Sequence, residues 1–148
     1  MVDGEVQLAR LQQLERLIDQ LERVRANGEA AYLADEDLRM MSERRLELAI
    51  QICINIGAHL VSELSVSPPD AYAGIFTSLA DAGHLDDELG ARLSAAARQR
   101  NLLVHLYLDT DNRRVFASLQ HLEDLRAFAK RVTALVFERS DSRTTGKD

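Results

Sequence analysis

The chain is poor in the residues that cross-link, break or anchor a protein. It has one cysteine, two prolines and no tryptophan, and only 5% of its residues are aromatic. A single cysteine excludes an internal disulfide, and Cys53 lies in the apolar run IQICINI, which is typical of a buried thiol in a reducing compartment. The core must therefore be built mainly from leucine, isoleucine, valine and alanine.

Long apolar runs are also missing. The most apolar segment, LAIQICINIGAHLV, is interrupted by Gln51, Asn55 and His59, which is unlike a membrane-spanning helix. The N-terminus reads MVDGEVQLAR and has no apolar stretch of the kind found in secretory signals. We therefore expect a cytoplasmic protein without a membrane segment.

Helical periodicity runs through almost all of the 148 residues, and no strand pattern is present. Leu8, Leu11, Leu14, Ile18 and Leu21, for example, form one apolar stripe. The predicted helices span roughly 4–26, 29–33, 37–64, 71–83, 85 to about 107, and 110–138. The sequence predicts an all-α fold, an antiparallel bundle of four or five helices over residues 1–138, followed by a disordered polar tail at 139–148.

The charge of the chain is acidic overall but basic in one place. Lysine and arginine number 18 against 24 aspartate and glutamate residues, a net charge of −6, which argues against a broad nucleic-acid-binding surface. Between positions 92 and 114 the balance reverses, because five arginines stand against two aspartates, 5 − 2 = +3. The residues of this basic segment are Arg92, Arg98, Arg100, Arg113 and Arg114, with Asp109 and Asp111.

A line of polar residues crosses the apolar second long helix at intervals of four. Two interpretations are open: a solvent-facing stripe opposite the core, or the lining of a cleft or dimer seam. His59 and Glu63 alone do not make a metal site, and the chain has no glycine-rich phosphate loop. We therefore expect no metal and no cofactor. The line consists of Glu47, Gln51, Asn55, His59 and Glu63.

The segment RQRNLLVHLYLD carries the strongest candidate for chemistry. On an ideal helix, Arg100 and His105 point about 140° apart, so they are not simple neighbours. His105 shares a stripe with Asn101 and Arg98, whereas Arg100 shares one with Tyr107. Two arrangements would bring Arg100 and His105 together: unwinding of the helix end, or a second copy of the motif across a two-fold axis. The second arrangement predicts a homodimer.

These residue types suit cleavage of RNA. A histidine titrates near neutral pH and can take the proton of a 2′-hydroxyl, while an arginine stabilises charge on the adjacent phosphate. His105 and Arg100 would fill these two roles, and Asn101 would either orient a reacting group or hold the imidazole of His105. The alternative is structural, with His105 capping or packing the helix end beside a half-buried Tyr107.

The stretch RNLLVHLY resembles the Arg-x4-His-x-Tyr motif of the HEPN superfamily, in particular of HepT-like toxins. The similarity extends to ERRLELAIQICINIGAHLVSEL and to the segment that leads into the motif, so that it covers roughly residues 5–137. The resemblance implies a HEPN fold and a metal-independent endoribonuclease toxin that forms a homodimer with its active site at the subunit cleft. It also implies a partner, an MntA-like minimal nucleotidyltransferase antitoxin.

Carried onto this chain, the resemblance makes Arg100 and His105 the catalytic pair, with Asn101 in support. We add Arg98 as a second supporting residue, because it shares a stripe with His105. The resemblance makes Tyr107 the residue that the antitoxin adenylylates, which would place a phosphate where it competes for Arg100. The acidic charge favours a small RNA target, such as a tRNA loop or end. Two other hypotheses stand beside this one: a non-catalytic helical module that binds nucleotides or the nucleotidyltransferase, and a structural dimer with a degenerate site.

Overall fold

The structure is a computed structural model that describes residues 2–104 and 111–145, with side chains for 4–100 and 111–139. All regular structure in these ranges is helical, which confirms the predicted all-α class. The α-helices are α1 (Val2–Ala26), α2 (Glu29–Ala34), α3 (Glu36–Glu63), α4 (Ile75–Asp81), α5 (Asp87–Val104), α6 (Asn112–Ser118) and α7 (Leu122–Thr145). Two 3-10 turns occupy Tyr72–Gly74 and Leu119–His121.

Short polar residues set the helix boundaries. The side chain of Asp35 accepts a hydrogen bond from the Leu38 amide at 3.1 Å and begins α3, and Asp86 does the same for the Leu89 amide at 3.2 Å near the start of α5. Gly28, with φ 91°, lies in the left-handed region after α1, where glycine has no steric penalty. These boundaries agree with the predicted helices to within two residues.

Four long helices, α1, α3, α5 and α7, enclose the core, and α1 runs antiparallel to α7. Arg25 near the end of α1 pairs with Glu123 near the start of α7 at 2.8 Å. Leucine, isoleucine and valine fill the interior, as the composition predicts, together with Phe76 and Phe128, whose rings meet edge to face at 5.4 Å. The predicted α1 stripe is buried except at Leu8, which is 41% exposed, so its assignment to the core was wrong.

The short helix α4 fixes the position of α5 through close backbone contact. A Cβ atom added at Gly90 of α5 would lie 2.9 Å from the Phe76 carbonyl oxygen and 2.9 Å from the Ala80 Cβ. Only glycine permits this approach, because any side chain would push the two helices apart. The N-terminal half of α5 is therefore held tightly against α4.

The C-terminal part differs from the prediction in two ways. The expected single last helix is divided into α6 and α7 by a 3-10 turn, where Arg25 donates a hydrogen bond to the Leu119 carbonyl oxygen at 3.3 Å. The predicted tail begins at residue 139, but α7 continues to Thr145. Arg139 lies 3.7 Å from Glu63, which ties the start of this polar segment to α3. No helix in the described ranges is long and apolar enough to cross a membrane.

Candidate functional site at the end of α5

The candidate site begins with an arginine at a core-facing position of α5. Leu89 and Leu93 lie on the buried side of this helix, with exposed fractions of 7% and 1%. Arg100 follows Leu93 by seven residues, which brings it to within about 20° of the same direction. Arg100 therefore continues an apolar stripe, where leucine or alanine would be expected.

The guanidinium of Arg100 is incompletely bonded in the free chain. Its Nε atom is buried, and no described residue accepts a hydrogen bond from it. Burying a charged donor without an acceptor is unfavourable, and nearly all buried polar groups in proteins have a partner. The forked donors of an arginine match the oxygens of a phosphate or carboxylate. The structure thus leaves one buried donor of Arg100 without an acceptor among the described residues.

The other predicted site residues are described to different extents. Arg98 is exposed on a face of α5 different from that of Arg100, as the helical spacing predicts. The backbone of Asn101 belongs to α5, but its side chain lies outside the described residues. His105 and Tyr107 lie outside them entirely. Their roles, and the approach of His105 to Arg100, stay predictions.

Ion pairs neutralise only part of the basic segment. Arg92 lies 2.9 Å from Asp124 and 3.8 Å from Glu88, and Arg113 lies 3.8 Å from Glu29. The remaining three arginines, at 98, 100 and 114, have no ion-pair partner among the described residues. The positive charge that the sequence places between 92 and 114 is therefore concentrated on these three.

A side-chain hydrogen bond joins α5 to α6 beside Arg100. Gln99 donates from Nε2 to the Ser118 hydroxyl, and this hydroxyl in turn donates to the Arg114 carbonyl oxygen at 3.0 Å. The packing of Tyr32 on Phe116, with ring centroids 5.4 Å apart, holds α6 from the other side. Burial of the Tyr32 ring raises its pKa to about 12.

The polar line on α3 has its own partners. Gln51 donates to Asn55 at 2.8 Å, and His59 Nε2 lies 3.4 Å from Glu63 Oε1. Glu47 pairs with Arg44 at 3.1 Å. Within the described part of the chain, no three histidine, cysteine, aspartate or glutamate side chains converge as metal ligands would. His59 Nε2 is nevertheless buried and has no hydrogen-bond partner among the described residues, so both interpretations of the line stay open.

A cleft of about 200 Å³ lies between α3, α5 and the start of α7, and sequence reasoning missed it. Its walls include Leu46, Ile50 and Ala96, and the Arg92–Asp124 pair stands at its edge. No linear pattern could have revealed the cleft, because its lining comes from segments far apart in the chain. The core-facing register of Arg100, by contrast, was readable from its spacing to Leu89 and Leu93.

The fold is that of the HEPN proteins. The chain matches the tri-AMPylated HEPN toxin of Shewanella oneidensis in complex with MNT antitoxin, with a TM-score of 0.79 and 24% identity over 87% of this chain and 97% of that chain. It also matches YutE, a cytosolic protein of unknown function from Bacillus subtilis, with a TM-score of 0.70 and 20% identity over 86% and 91% of the two chains.

Sequence comparison places the chain more narrowly. The tRNA nuclease HepT of Aphanizomenon flos-aquae is 29% identical over 110 residues, which cover 74% of this chain and 75% of the relative. The family model for ribonuclease HepT-like proteins matches residues 14–132. The chain therefore belongs to the ribonuclease HepT-like family, which confirms the resemblance seen in the sequence.

Proposed function

We propose that this protein is a metal-independent endoribonuclease, the toxin of a cytoplasmic toxin–antitoxin pair, with Arg100 and His105 as its catalytic residues. The observation that carries the proposal is the buried, unpartnered Nε of Arg100 on the core-facing stripe of α5. Arg100 is the first residue of the Arg-x4-His-x-Tyr motif, and its buried donor is available to an oxygen of an RNA phosphate. Membership of the family and the name of the Aphanizomenon relative support the same activity.

The reaction needs only groups that the chain and the RNA supply. His105 takes the proton of a 2′-hydroxyl, and the 2′ oxygen forms a bond to the adjacent phosphorus. The bond from phosphorus to the 5′ oxygen breaks, and the departing oxygen takes up a proton from the protonated His105. The products are a 2′,3′-cyclic phosphate and a 5′-hydroxyl. Arg100 stabilises the charge that builds on the phosphate oxygens, and Asn101 and Arg98 support the pair.

The assembly that we propose is a homodimer. Arg100 and His105 point about 140° apart on a continuous helix, so one α5 alone does not bring them together. A second copy across a two-fold axis would supply the missing group to each site and would place two arginines and two histidines in one cleft. Unwinding of the chain after Val104 is the other arrangement that would satisfy the same chemistry.

We further propose that an MntA-like nucleotidyltransferase antitoxin silences the protein by adenylylating Tyr107. The tyrosine oxygen would bond to the α-phosphorus of ATP, and pyrophosphate would leave. Seven residues separate Arg100 from Tyr107, which gives both the same direction on a helix, so the added phosphate would compete with RNA for Arg100. The Shewanella structure supports this regulation in a relative, since that toxin is described as AMPylated and bound to MNT antitoxin.

The test is cleavage of RNA by purified protein that mass spectrometry shows to be free of AMP. We expect wild-type protein to cleave tRNA in EDTA and to leave 2′,3′-cyclic phosphate ends, and His105→Ala protein with an unchanged circular dichroism spectrum to be inactive. Equal cleavage by the folded variant would contradict the role of His105. No cleavage by AMP-free, dimeric wild type would favour the second hypothesis, a module that binds a nucleotide or the nucleotidyltransferase without cutting RNA.

A further inference from the structure

The arginines of the basic segment divide into two groups by their contacts. Arg92 lies 2.9 Å from Asp124 and Arg113 lies 3.8 Å from Glu29, so each of these two has a carboxylate nearby. Arg98, Arg100 and Arg114 are not balanced by any described residue. Neighbouring positive charges without carboxylate partners raise the local concentration of anions, and of a polyanion such as RNA.

A contact between α5 and α6 brings Arg114 near the end of α5 that carries Arg100. Arg98 and Arg100 flank Gln99 on α5, and the Gln99 side chain donates to the hydroxyl of Ser118 on α6. Arg114 precedes Ser118 by one helical turn, a rise of about 6 Å. Arg100 and Arg114 therefore lie near one contact between α5 and α6, whereas Arg98 lies on another face of α5. We call Arg100 and Arg114 the arginine junction.

The backbone at Arg114 is fixed while its side chain is free to reach outward. The Asp111 carboxylate accepts a hydrogen bond from the Arg114 amide at 3.2 Å, and the Ser118 hydroxyl donates to the Arg114 carbonyl oxygen at 3.0 Å. Val115 and Phe116 are buried and anchor the same helix to the core. Arg114 is an exposed residue. This is a pre-organised position for a contact to a flexible ligand.

We propose that Arg114 binds an RNA phosphate next to the phosphate held by Arg100, and so positions the substrate strand along the arginine junction. The inference rests on the proposed function in that it takes RNA as the ligand of Arg100. Arginine suits phosphate because its forked donors can engage two oxygens at once. Arg114 is a positioning residue: it acts on binding and on its salt dependence, while the proton transfers stay with His105.

Binding is measured with a 2′-O-methyl oligoribonucleotide of about 20 residues, which lacks the attacking hydroxyl and so reports binding without cleavage. Arg114→Gln is compared with Arg113→Gln, a neighbouring change at an arginine already paired with Glu29. One phosphate contact to a single strand contributes about 0.7 to the slope of log Kd against log salt, or about threefold in affinity between roughly 50 and 200 mM salt. We expect Arg114→Gln to reduce the slope by this amount and Arg113→Gln to change it by less than half as much.

Three results would overturn the inference: an unchanged slope in Arg114→Gln, an equal reduction in both variants, or weakened binding of the antitoxin by Arg114→Gln with unaltered binding of RNA. Thermal unfolding of each variant excludes a general loss of structure. A failure of the proposed function can be told apart from a failure of this inference, because in the first case the wild-type protein would not cleave unmodified tRNA. If Arg114→Gln reduces the slope but the wild-type protein does not cleave tRNA, then Arg114 contacts RNA in a module that binds RNA without cutting it.

Discussion

Replacing Arg100 by methionine is expected to stabilise the unbound protein and to remove its activity on RNA. Methionine keeps an unbranched apolar stem on the stripe formed by Leu89 and Leu93, but it takes away the buried Nε that has no described acceptor. An unsatisfied buried polar group destabilises a fold by about 1–3 kcal/mol. Because Arg100 is only half-buried, we expect the lower part of this range, about 1–2 kcal/mol.

Urea unfolding of AMP-free protein measures this gain, and thermal unfolding should show it as a rise of about 2–8 °C for a chain of this size. Arg98→Met is the matched control, since Arg98 is exposed on the same helix and its replacement should change stability by less than about 0.5 kcal/mol. Cleavage of tRNA by each variant completes the experiment, with activity lost in Arg100→Met.

A loss of stability in Arg100→Met would refute the reasoning. It would mean that the guanidinium already has an acceptor in solution, for instance a group from a second copy of the chain. A gain in stability with full activity would instead keep the physical description of Arg100 and reject its catalytic role.

Two further predictions concern the packing that supports the site. Gly90→Ala places a Cβ 2.9 Å from the Phe76 carbonyl oxygen, which cannot move without its helix. Urea unfolding should therefore show that the free energy of unfolding falls by about 1–3 kcal/mol. Gly4→Ala is the control, since nothing lies within 4 Å of its added Cβ, and it should be neutral or slightly stabilising. Equal stability of the two variants would contradict this close approach. Burial raises the pKa of Tyr32 to about 12, so the folded chain keeps a proton that the unfolded chain loses near pH 10. Stability should therefore fall by about 2–3 kcal/mol as pH rises from about 10 to 12, and Tyr32→Phe should abolish this fall; an unchanged pH dependence in the variant would reject Tyr32 as its source.

Local chemistry made most of the fold predictable. Helix starts follow from short-range contacts such as the Asp35 side chain to the Leu38 amide, and the end of α1 follows from Gly28. The break between α6 and α7 was not predictable, because its partner is Arg25, which lies 94 positions from Leu119 in the chain. The helical spacing of apolar residues continues through that break. Periodicity alone therefore predicts one helix where the structure has two.

The sequence identified the arginine at the candidate site, but it could not predict which neighbouring charges would be paired. The motif singled out Arg100, and spacing placed it apart from Arg98, as observed. Which arginines keep an uncompensated charge depends on contacts such as Arg113 with Glu29, which join residues far apart in the sequence. The sequence alone therefore could not tell that Arg113 has a carboxylate partner and Arg114 has none among the described residues, because the two are adjacent arginines.

The size of the arginine junction also constrains the kind of RNA that this protein would bind. The two arginines of the junction imply contact with about two phosphates, and hence a slope of log Kd against log salt of about 1.4 for a single strand, far shallower than that of proteins that hold long duplexes. The remaining surface belongs to a chain with a net charge of −6, which repels a long polyanion outside the junction. A short single-stranded segment, such as a loop or an end of a folded RNA, can occupy the junction while the rest of the molecule stays clear of the acidic surface. The acidic charge that argues against a general nucleic-acid-binding protein thus favours a nuclease with a narrow target.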